Sequence, residues 1–108
     1  MPVLLDLIHK EVVMGHPLVL GEIACGTPPQ RANTLRDLDI LPPIQQASLA
    51  EVIDFIARER LFGLGCGLID LTLLASVRIT PQVELWTFDR RLAALAERFG
   101  VLYRPPEA

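Results

Sequence analysis

The stretch Leu68-Ile69-Asp70-Leu71-Thr72-Leu73-Leu74-Ala75-Ser76-Val77 reads as a helix that is apolar on nearly every side. Such a helix has no face to offer water, so the rest of the chain has to cover it. It also carries one carboxylate, Asp70, set among Ile69, Leu71, Leu73 and Leu74. An unpaired charge in such surroundings is costly, and something must compensate it. With 108 residues there is room for one core, and a single domain over residues 1–108 is expected. Hydrophobic residues make up 51% and charged residues 21%, the balance of a packed protein and not of a disordered one.

Around that helix, strand-like and helical segments alternate. Leu4 to Lys10 has helical spacing, and Val12 to Met14 reads as a short strand stopped at Gly15-His16-Pro17. Pro17 opens a helix through Leu18 to Cys25 that Gly26 closes, and Gln30 to Asp37 reads as another. Asp39 to Pro43 is expected to be extended and at a sheet edge, because prolines donate no ladder bonds. Ser48-Leu49-Ala50-Glu51 is a capping box for a helix with Leu49, Val52, Ile53 and Ile56 on one face. Val83 to Phe88 reads as a strand, Arg90 to Phe99 as a helix stopped by Gly100, and Val101 to Tyr103 as a last strand. Strands separated by helices imply an α/β fold, a parallel sheet with helices on its faces.

Three acids stand out against this pattern. Glu22 sits among Leu18, Val19, Leu20, Ile23 and Ala24, where water is expected to be scarce and a carboxylate needs a partner. Asp70 is the second. Asp89 follows the strand ending at Thr87-Phe88 and precedes a helix, which puts it at the carboxyl edge of a parallel sheet, where α/β folds build their sites. The same position suits a helix cap. Buried ion pairs with arginine would equally account for Glu22 and Asp70. Taken together, three acids from separate elements suit a hard divalent cation such as Mg²⁺, which takes oxygen ligands and keeps several waters. Such an ion supports phosphodiester hydrolysis.

His16 to Gly26, then Gly67 to Ala75, then Leu85-Trp86-Thr87-Phe88-Asp89-Arg90-Arg91-Leu92 resemble, in order, the second, third and fourth acidic motifs of VapC-like PIN-domain toxins. The resemblance implies a PIN-like parallel sheet flanked by helices and a metal-dependent endoribonuclease acting on RNA. It implies Mg²⁺ or Mn²⁺ held by Glu22, Asp70 and Asp89, with Thr87 near the metal or substrate and Arg90 able to contact phosphate. Thr87 is equally an ordinary β-branched strand residue. The partners implied are RNA, a cognate antitoxin covering the acidic pocket, and further copies of the chain.

Family members begin with a strand ending in an aspartate, the first metal ligand, and nothing in this sequence aligns with it. Only five residues separate Asp6 from Val12, whereas a parallel crossover needs at least about 10, so Asp6 is read as an exposed residue of the first helix. The usual central first strand is therefore expected to be missing, with activity impaired by loss of the first acid. An alternative of another class is a toxin-fold interaction module that binds antitoxin or itself without cleaving. A phosphoacceptor domain fits less well, lacking an acidic pair after a first strand and a lysine after a late one.

The remaining features carry less chemistry. Cys25 and Cys66 read as small buried hydrophobes, His9 and His16 lack a third zinc ligand, and Trp86 reads as core. Arg91 reads as a phosphate contact or as part of a solvated helix face. The Gly63 to Gly67 loop lacks a nucleotide-binding pattern. A net charge of −3 gives RNA no long-range attraction, so any contact must be local. No apolar run approaches the ~20 residues of a membrane helix, and the start has no basic leader, so a cytoplasmic location is the default expectation.

Overall fold

The computed structural model describes residues 15–104. The expected helix over 4–10, the strand over 12–14 and Asp6 lie outside the described residues. Contacts divide the chain into two compact units, Met1–Ile44 and Gln45–Ala108.

In the first unit, α1 spans Pro17–Ala24 and α2 spans Arg31–Asp39, and the two pack together. Proline opens α1 because its missing N–H is one that the first turn leaves unused. His16 caps it: the Leu18 N–H donates to His16 Nδ1 at 3.0 Å. Burial pushes the His16 imidazole below its ordinary pKa, which keeps Nδ1 free of a proton and able to accept. Arg31 ties the two helices by donating to the carbonyls of Ala24 at 2.7 Å and Gly26 at 3.3 Å, oxygens that the end of α1 leaves unpaired. A parallel bridge joins Gly15 to Pro43, with the Gly15 N–H on the Pro42 carbonyl and the Ile44 N–H on the Gly15 carbonyl.

Two expectations are corrected here. Helix α2 runs on to Asp39, so the extended piece is confined to the end of the expected Asp39 to Pro43 segment. Glu22 is exposed, and neither α1 nor α2 buries a residue. An apolar sequence makes a helix buried only if enough protein surrounds it, and two helices of eight and nine residues leave most of each other's surface outside. Cys25, read as buried, is exposed as well.

In the second unit, α3 spans Leu49–Glu59, α4 Leu68–Ile79 and α5 Arg90–Arg98. Helix α4 packs against both others, and Leu71, Leu74 and Ala75 meet Val52 and Phe55 of α3 and Leu92, Leu95 and Ala96 of α5 in one core. The central helix is covered as its composition requires, from Leu71 onward; Leu68, Ile69 and Ile79 at its ends are exposed. The capping box on α3 forms as read, Ser48 Oγ accepting from the Glu51 N–H and Glu51 Oε1 from the Ser48 N–H. Those backbone and hydroxyl contacts with Ser48 hold the Glu51 carboxyl below its ordinary pKa. The buried face of α3 differs from the expected one: Val52 and Phe55 are inside while Leu49 and Ile53 are 59% and 57% exposed. The Phe55 ring decides the rotation, packing at 5.4 Å on Phe99 with the Arg78 guanidinium 5.0 Å from its centre.

Three hydroxyls along α4, four residues apart, each donate to the carbonyl one turn back: Thr72 to Leu68, Ser76 to Thr72 and Thr80 to Ser76, all at 2.7 Å. Their oxygens then accept from outside the helix, Ser76 from the Ala47 N–H and Thr80 from the Gln45 N–H, both at 3.0 Å. This docks the segment leading into α3 without burying unpaired amides. Ser76→Ala should therefore leave the Ala47 N–H unsatisfied in a fully buried place and cost about 1–3 kcal/mol, read as a lowered urea midpoint at unchanged slope.

The expected strands Val83 to Phe88 and Val101 to Tyr103 reduce to one isolated parallel bridge, Leu85 with Leu102. The Leu85 N–H donates to the Val101 carbonyl and the Tyr103 N–H to the Leu85 carbonyl. Parallel pairing demands a crossover, and α5 supplies it. Beyond the two bridges, the parallel sheet is not seen among the described residues. Two ladder bonds to one residue, with no further strand pairing there, do not make a regular strand. Among the described residues no helix is long and apolar enough to cross a membrane.

Candidate functional site

Asp70 and Asp89 both stand at the starts of helices that pack together, the first inside the first turn and the second at the cap. Helix α4 starts at Gly67, which has no side chain to cap it, and Asp70 stands in its first turn. A carboxylate there meets the positive end of the helix dipole, a gain of about 0.3–1 kcal/mol that lowers the cost of the charge. Asp70 is half-buried, not enclosed as its apolar neighbours suggested, because the first turn projects beyond the core. Asp89 is the cap of α5, and its Oδ1 accepts from the Leu92 N–H at 2.9 Å. Its own N–H donates to Thr87 Oγ1 at 3.1 Å, so the half-buried Thr87 holds the backbone that aims Asp89. The cap occupies one carboxylate oxygen and leaves Oδ2 outside that bond.

Cys66, half-buried just ahead of α4, reports on the space between them. Burial pushes its thiol pKa up, Asp70 and Asp89 push it further, and Arg91 offsets part of the rise. Arg91 lies across the glycine loop: a Cβ built on Gly65 would fall 2.8 Å from Arg91 Cδ and 2.9 Å from its Nη1. Gly65 has φ +90, a backbone that favours glycine, whereas the Arg91 atoms near it are the end of a flexible side chain that can move aside. Arg90 is exposed beside Asp89. Glu22 stands on α1 of the first unit, exposed to solvent.

Arg91 reads from the sequence as a phosphate contact or a solvated residue; Gly65, which it approaches, is not singled out there. The glycine-dense run Gly63 to Gly67 was the available signal, since a loop glycine often marks close approach of another group. A separate cleft of about 380 Å³, lined by Glu51, Asp54, Arg58 and Arg78 among others, includes none of the predicted acids.

The sequence is 37% identical over 98 residues to Ribonuclease VapC32 of Mycobacterium tuberculosis, in strain CDC 1551 / Oshkosh and in strain H37Rv. The aligned stretch covers 91% of this chain and 79% of that protein. The chain belongs to the VapC family of PIN-domain ribonuclease toxins. Neither a family model nor a solved structure matches the sequence. For a VapC protein, paired carboxylates at two helix starts are oxygen donors of the kind a hard divalent cation takes. In donor chemistry Asp70 and Asp89 fit such an ion. In number they fall short alone, and among the described residues no group of three His, Cys, Asp or Glu side chains is gathered to hold one.

Proposed function

We propose that this chain is a toxin-type endoribonuclease, one PIN domain over residues 1–108, that hydrolyses RNA phosphodiesters with the help of Mg²⁺ or Mn²⁺. The reading is carried by the placement of Asp70 in the first turn of α4 and of Asp89 at the cap of α5, two helices that pack together, in a chain 37% identical to a ribonuclease. Glu22 is the third acid of the proposed set. The ion, when bound, lowers the pKa of an attacking water and offsets charge developing on the phosphate. The chain's own residues do the rest. Asp89 is held by Thr87 and by its cap, and Arg90 and Arg91, exposed directly after it, are placed to meet a phosphate oxygen. The proposed partner is a cytoplasmic antitoxin that lays an apolar helix and a basic side chain over the acids; self-association of the toxin is part of the same reading.

The resemblance assigns no residue to the family's first acid, and on that reading weak ion binding and poor cleavage are the expected behaviour. That same lack favours a second reading, an interaction module that binds antitoxin or itself without cutting. The deciding comparison is cleavage of single-stranded RNA, with and without Mg²⁺ or Mn²⁺, by this chain and by a version extended through the upstream in-frame codons. Greater metal-dependent cleavage by the extended version, lost in Asp70→Asn, is expected. Equal cleavage by both would show that the three acids suffice, and no cleavage by either would favour the interaction module.

A further inference from the structure

Trp86, read from the sequence as core, is only half-buried and belongs to a surface cluster. Leu85 and Leu102, the bridged pair, pack against the core of the second unit. Alternation along an extended chain therefore turns their neighbours, Trp86 and Tyr103, to the opposite face, and Phe88 follows Trp86 at the same parity. The rings meet there: Trp86 and Tyr103 edge to face at 5.4 Å, Trp86 and Phe88 tilted at 6.1 Å. Three of the protein's six aromatic residues are thus gathered in one place, and Phe88 is 79% exposed.

We propose that Trp86, Phe88 and Tyr103 form a stacking site for the bases of single-stranded RNA approaching Asp89; this rests on the endoribonuclease reading above. Phe88 directly precedes Asp89, so RNA stacked on its ring passes along the segment that carries the acid. Exposed Arg90 follows Asp89 in the chain and exposed Arg104, ion-paired with Glu97, follows Tyr103, two cations able to meet the backbone between stacked bases. With a net charge of −3, the protein needs an attraction for RNA that is short-ranged and not electrostatic, and ring-on-base contact supplies it. Three rings fall well short of the roughly 800 Å² per partner that a stable protein contact buries.

Trp86 is the one tryptophan of the chain, so its emission reads the site directly. The full chain carrying Asp70→Asn, to prevent cutting, is titrated with a single-stranded RNA of roughly ten nucleotides and with an abasic strand of equal length. Quenching by the RNA and not by the abasic strand is expected. Adding Phe88→Ala should weaken binding about 5- to 150-fold, the equivalent of ~1–3 kcal/mol for one stacked base, and Phe88→Tyr should restore it. Anisotropy of labelled RNA measures binding independently. Binding by anisotropy with unchanged Trp86 emission and an unaltered Phe88→Ala affinity would overturn the stacking site and leave the ribonuclease reading standing. No binding by anisotropy and no cleavage by the unmutated chain would overturn both. A Trp86 emission shift that follows protein concentration without RNA would assign the face to a second copy instead.

Discussion

Asp89→Asn should lower metal-dependent RNA cleavage by roughly 10²-fold or more while leaving the fold intact. Asparagine caps a helix about as well as aspartate, so the bond from the Leu92 N–H to the side-chain oxygen survives. What is lost is the charge, and with it the attraction for a cation and about 0.3–1 kcal/mol of favourable interaction with the start of α5. Asp89→Ala removes cap and charge together and should cost about 1 kcal/mol of stability besides the same loss of cleavage. Thermal melts and cleavage rates on the three proteins separate the two roles. If the asparagine variant cleaves at the parent rate, Asp89 is a cap and nothing more.

Leu74→Ala should destabilise the second unit by about 2–5 kcal/mol, a large share of the 5–15 kcal/mol typical of a whole domain. Leu74 has no exposed surface and lies at the meeting of α3, α4 and α5, where little can collapse into the space it leaves. Ile53→Ala, on the exposed side of α3, should change stability by only about 0.5 kcal/mol. Urea unfolding followed by far-UV circular dichroism distinguishes them. Comparable losses would mean that the buried face of α3 includes Ile53 after all.

That contrast marks where sequence reading ends. The pattern of residues alone determined the described helices to within a few residues, because their signals are local: Pro17 at a first turn, the Ser48 and Glu51 capping box, Asp89 as a cap, Gly100 after the last turn. It also determined the family, since three acidic motifs in order survive in the chain and the kinship to VapC32 runs through 91% of it. Tertiary structure decided the rest. Whether an apolar residue is buried depends on what the remainder of the chain places over it, so Ile53 and Glu22 came out exposed although their neighbours are apolar. The approach of Arg91 to Gly65 joins residues distant in sequence through the packing of α5 on α4, which no local pattern encodes. The aromatic cluster arose in the same way. One tryptophan in a strand-like run reads as core, and only the pairing of Leu85 with Leu102 sets Trp86 beside Tyr103 on the outward face, because a ladder aligns the side chains of both its strands.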